Sequence, residues 1–158
     1  MSNILTTTRN AIWTKLEADA TLVTLMKGRS FLKFAGGLKK RLIVEPAQCP
    51  ILAMAPSGAV EMPGVKEMQT PYRNPSPWRH GYQWQLDTAG ENCGDLEELF
   101  GRVVYVLATQ FPYGLDTLSD VAFEDVAIEP IPDEKDALIL WEARFRTVVT
   151  FRAPYIPS

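Results

Sequence analysis

A single histidine and two cysteines in 158 residues leave little material for the commonest site chemistries. His80 has no second ligand-type residue at the spacing of a metal motif, which argues against zinc or non-haem iron. There is no G-x-S-x-G elbow, no G-x-x-x-x-G-K-[ST] loop and no dinucleotide fingerprint. FAGGLKKR, residues 34–41, has glycines and lysines without the phosphate-loop spacing, and reads as a flexible basic turn. The chain is therefore expected to be no enzyme and to hold no metal or cofactor. Cys49 and Cys93 are expected to be reduced and packed, although sequence alone leaves a disulfide open. No run approaches the roughly 18 apolar residues of a membrane span. The opening MSNILTTTRNAIWTKLEADA turns polar too early for a secretory signal, so neither membrane nor secretion is expected.

What is present fits one folded domain over residues 1–158: 46% of the chain is apolar and 22% charged, enough for a core without staples. The net charge of −3 argues against a general nucleic-acid binder. Leu5, Ile12, Leu16 and Val23 form one stripe at helical period, with Thr6, Thr7 and Thr8 as capping hydroxyls and a short turn after Asp19. Short strands are expected at RLIVE, at PILAMAP and at YQWQLDT. Between the last two lies a Pro-rich loop, residues 56–80. A second helix starts at Asp95 and Glu98 in a capping-box pattern and carries Leu96, Leu99, Phe100, Val103, Leu107 and Phe111.

The end of the chain is a hairpin, LSDVAFEDVAIEPI and ALILWEARFRTVVTFRAPYI joined by PDEKD. In WEARFRTVVTF, Trp141, Ala143, Phe145, Thr147, Val149 and Phe151 share one face, and Glu142, Arg144, Arg146, Val148 and Thr150 the other. The expected class is α+β: a mainly antiparallel sheet with two helices packed on one face and a long C-terminal β-hairpin.

This element order, with the helix DLEELFGRVVYVLATQF and the final strand LWEARFRTVVTFRAPY, resembles the tail-terminator and head–tail joining proteins of tailed bacteriophages. The resemblance spans nearly the whole chain but rests on no rigid motif. It implies a hexameric ring in the virion, assembled in the host cytoplasm, that ends tube growth at the head-proximal end of the tail. The implied partners are further copies of the chain, the tail tube protein and the head connector or stopper. Genomic DNA would pass through the lumen without being read. Neighbouring roles (tube subunit, stopper, baseplate component) carry related folds.

Charge is segregated along the chain. No acid occurs from Ala20 to Val44, which hold six of the sixteen bases, while residues 119–136 hold seven acids against Lys135 alone. Such segregation suits a heterologous ring contact. Arg144, Arg146, Arg152, Glu124, Glu129, Lys39, Lys40 and Arg41 are the candidate intersubunit contacts, and Lys66, Tyr72, Arg73, Trp78 and Arg79 a candidate partner-binding loop. Two alternatives stand beside this. Arg144 and Arg146 can pair with Glu124 and Glu129 in their own hairpin, at about 0.2–1 kcal/mol per pair. Lys27 to Arg41 with Phe31 and Phe34 can form a single-strand nucleic-acid surface.

Overall fold

The computed structural model describes residues 3–34, 41–61, 78–135 and 137–152, and of 58–61 and 138 the backbone alone. Helix α1 (Ile4–Glu17) is capped by Asn3, whose Oδ1 accepts from the Thr6 amide at 2.8 Å. The threonines expected to cap it lie inside the helix instead, and Thr8 Oγ1 donates to the Ile4 carbonyl. Asp19 then caps a separate helix, α2 (Ala20–Leu25). This new start resets the helical phase. Leu22 and Met26 turn inward and Val23 is 48% exposed, which corrects its place in the predicted stripe.

Five strands form one sheet in the order β1-β2-β3-β5-β4: β1 (Leu32–Lys33), β2 (Ile51–Glu61), β3 (Arg79–Ala89), β4 (Leu118–Pro132) and β5 (Leu138–Phe151). The β1–β2 pair is parallel and every other pair antiparallel. Helix α3 (Gly94–Thr109) and the two earlier helices cover one face. There Ile12, Trp13, Leu16, Leu22, Leu99 and Val103 pack on Trp84, Phe145 and Val149, so the class, the strand faces and the sided helices agree with expectation. Period-2 alternation makes this work. Trp84 stands opposite Phe145, and its indole N–H donates to Thr147 Oγ1 at 2.9 Å, so no polar atom of that pair is wasted.

Three local expectations need correction. Residues 41–45 form no strand; Leu42 and Val44 pack on Ile51, Ala53 and Leu140 across the helix-free face while Ile43 is 88% exposed. Alternating burial therefore arises from a strap lying on a sheet, and its backbone bonds go to a side chain: the Leu42 amide to Gln85 Oε1, the Leu42 carbonyl from Gln85 Nε2. The 56–80 loop is also narrower than expected, because Pro56 pairs with Tyr82 and Glu61 with Arg79. Proline lacks a donor, and the register slips between Pro56 and Val60. Finally, α3 begins before Asp95, so the capping box does not form. Cys93 is the N-cap, without a side-chain bond to the helix backbone. Its Sγ donates to Glu97 Oε1 at 2.8 Å. The β4–β5 turn is closed by Asp133, whose Oδ1 accepts from the Lys135 and Ala137 amides.

Candidate assembly surfaces

The helix-free face of the sheet carries the arginines of β5. Cross-strand register places Arg146 between Glu124 and Gln83, Arg144 between Ala127 and Gln85, and Glu142 between Glu129 and Asp87. Glu124 thus receives Arg79 Nη2 at 3.3 Å and Arg146 Nη1 at 4.0 Å, a pairing within one chain. Arg144 and Glu129 are not opposite one another, and among the described residues no ion pair joins them. A bulge between Glu124 and Ala127 shifts the register by one residue, and on its far side Arg144 faces Ala127 while Glu129 faces Glu142. Arg152 Nε donates to the Leu118 carbonyl at 3.1 Å. Lys39, Lys40, Lys66, Tyr72 and Arg73 lie outside the described residues. Trp78 and Arg79 are tied to the sheet rather than to a free loop: the Phe151 amide donates to the Trp78 carbonyl at 2.8 Å.

Gly81 explains how Arg146 fits. A Cβ there would stand 2.5 Å from Arg146 Nε and 2.6 Å from Ser57 Oγ, so the guanidinium lies across a bare backbone. Gly81→Ala is expected to push Arg146 aside and cost about 1–3 kcal/mol, the range for overpacking. A urea midpoint unchanged from that of the parent would show that the guanidinium is free to move away.

Beneath the strap lies a polar cluster that sequence reasoning did not assemble. Arg41 Nε donates to both Glu142 oxygens, at 3.0 and 2.9 Å, and Gln85 Nε2 donates to Asp87 Oδ2 at 3.0 Å and to Glu142 Oε2 at 3.3 Å. Glu142, Asp87 and Gln85 are buried. Burial pushes the Asp87 carboxyl up to about 7, and its hydrogen bond with Glu142 adds to the rise. The available signal was a run of polar residues at alternate positions in two central strands, Gln83–Gln85–Asp87 and Glu142–Arg144–Arg146. Only the register joins them.

The two edges of the sheet differ in charge. At the β4 edge Asp120, Asp125 and Glu129 are exposed, with Val126 51% and Ile128 44% exposed beside them. At the β1 edge, Val23, Met26, Arg29, Phe31 and Lys33 line an open groove of about 440 Å³. Arg29 is exposed there and donates to the Ala47 carbonyl, and Lys33 is paired with Glu17, which also lines the groove. Lys27 is exposed beside it, at a neighbouring pocket lined by Asp95 and Glu98. Phe31 stacks on Trp13 at 5.6 Å and Lys33 sits over the same indole, so this aromatic is engaged inside the fold rather than offered to a base.

His80 belongs to β3, not to a loop, and is buried edge-on against Tyr82 at 4.9 Å. Both cysteines are free, and burial pushes the Cys49 thiol up to about 11, away from thiolate chemistry. Among the described residues no three His, Cys, Asp or Glu side chains are grouped to hold a metal.

Against known structures, a chain of "Virion of native gene transfer agent (GTA) particle" superposes on this one with a TM-score of 0.54. The match covers 90% of this chain and 92% of that one. The two share a fold. They are 10% identical, so the likeness lies in architecture and not in side chains. No protein-family model and no curated protein matches the sequence.

Proposed function

We propose that this chain is a structural component of a phage-like virion, a ring-forming tail terminator that ends tube growth and joins the tail to the head connector. The observation that carries the reading is the shared fold with a chain of a virion particle over 90% of the length. The resemblance of the element order to tail-terminator and head–tail joining proteins points the same way. In this role the chain acts through surfaces rather than through chemistry, its partners being further copies, the tube protein and the head connector. DNA passes through the lumen without sequence recognition.

Tube subunits, stoppers and baseplate proteins are built on related folds, and assembly behaviour separates them. Native mass spectrometry of the purified chain is expected to give one closed six-fold species that does not extend with concentration. A species that grows into tubes would identify a tube subunit instead. A monomer that stays monomeric in the presence of tail tubes would overturn the ring reading.

A further inference from the structure

We propose that neighbouring copies meet head to tail, the acidic β4 edge of one protomer seated in the basic groove between α2 and β1 of the next. The inference rests on the ring reading and names the surfaces that make the ring.

Strand order is the first support. β1 and β4 are the two outermost strands of a five-stranded sheet, so they face opposite ways, about 19 Å apart at the usual strand spacing. Two different patches on opposite sides are what a heterologous contact requires, and repetition then closes a ring. Charge is the second. Asp120, Asp125 and Glu129 stand exposed at one edge, Lys27 and Arg29 at the other. Each would repel its own kind and attract the other.

Apolar groups complete the match, Val23, Val126 and Ile128 being exposed and Phe31 half-buried. Val126 and Ile128 lie between Asp125 and Glu129, and Val23 and Phe31 line the groove beside Arg29. Val126 of one copy covers Val23 of the next, while Asp125 faces Arg29 in the groove and Glu129 reaches Lys27 beside it. The bulge at Glu124–Ala127 bends β4 there and gives Asp125 a φ of 54°, lifting this stretch off a flat ladder. A long edge strand blunted by a bulge, charges and prolines resists indiscriminate strand pairing, so side-chain docking is the contact left to it. Arg146 takes no part in this joint, since it already meets Glu124 within the chain.

The test is a charge swap in the full chain. The edge variant is Asp125→Lys with Glu129→Lys, and the groove variant is Lys27→Glu with Arg29→Glu. Each alone is expected to raise the subunit dissociation constant by about 100-fold or more, as like charges then meet across a joint. Mixed in equal amounts, they should reassemble into an oligomer containing both chains in equal number. The four changes combined in one chain should also restore assembly. Circular dichroism melting of each variant establishes that it is folded. If either folded variant assembles like the parent, or the mixture stays monomeric, the surfaces are wrongly assigned although the ring reading stands. If the parent itself does not oligomerise, alone or in the presence of tail tubes, both fail. That outcome is read first, from the native mass of the unmodified chain.

Discussion

Truncating Phe145 to alanine is expected to remove about 3–5 kcal/mol of stability, the usual cost for a buried aromatic ring. Phe145 is fully buried. Its ring lies parallel to that of Trp84, 5.7 Å away with planes 2° apart, and meets Phe100 edge-on at 5.3 Å. These contacts couple the central strand pair β3–β5 to helix α3, so the truncation leaves a cavity where the helix layer meets the sheet. Neighbouring rings are too rigid to close it. Aromatic contacts of this kind add roughly 0.5–1.5 kcal/mol each beyond area burial, which places the change in the upper part of the range. Urea unfolding with an unchanged m-value gives the number directly. A loss below about 1 kcal/mol would mean that the site collapses around the smaller side chain, a behaviour a stacked aromatic cluster should not show.

Phe145 also shows why part of this fold could be read in advance. β5 places aromatic or β-branched residues at every second position except Ala143, and α3 keeps one stripe from Leu96 to Leu107, the expected Phe111 lying beyond its end at Thr109; each pattern fits a single secondary structure and fixes its buried face. The strap at 41–45 alternates just as well, yet it is no strand, because a segment lying on a sheet also buries alternate residues. Periodicity reports burial; the hydrogen-bond partner decides the structure, and here that partner is the Gln85 side chain. Val23 fails for a different reason: a new helix N-cap at Asp19 interrupts the phase on which its prediction depends.

The candidate surfaces divide along similar lines. Segregation of acids and bases is visible in the order of residues, since it needs only counting. Their position at opposite edges is not, because it depends on β4 folding back outside β5 and on β1 adding beside β2. Register has the same effect on the arginines. One bulge in β4 sets Glu124 rather than Asp125 opposite Arg146, while Arg144 faces Ala127. A pairing rule applied to sequence alone cannot anticipate an extra residue in one strand.

Glu142→Ala is expected to be the most damaging single charge removal, because Glu142 is fully buried and anchors both Arg41 and Gln85. Breaking a buried pair by deleting one partner costs about 3–5 kcal/mol. The lower end applies, since 28% of the Arg41 side chain is exposed and the guanidinium can turn to water. The pH dependence gives a sharper test of the same cluster. Burial, and then the hydrogen bond with Glu142, raise Asp87 from 3.8 to about 7, so the folded chain holds that proton more tightly than the unfolded one. Its stabilising contribution is complete below pH 3.8 and is lost as pH rises toward about 7. Over that window Asp87 should lower stability by at most about 1.4 kcal/mol per pH unit. Asp87→Asn keeps a donor toward Glu142 without titrating. It should therefore flatten this slope and be more stable than the parent at alkaline pH, while matching it in acid. Urea midpoints across the window, for parent and variant, decide the matter. Parallel curves for the two proteins would mean that Asp87 is ionised throughout and that Arg41 and Gln85 compensate both carboxylates, with no proton held between them.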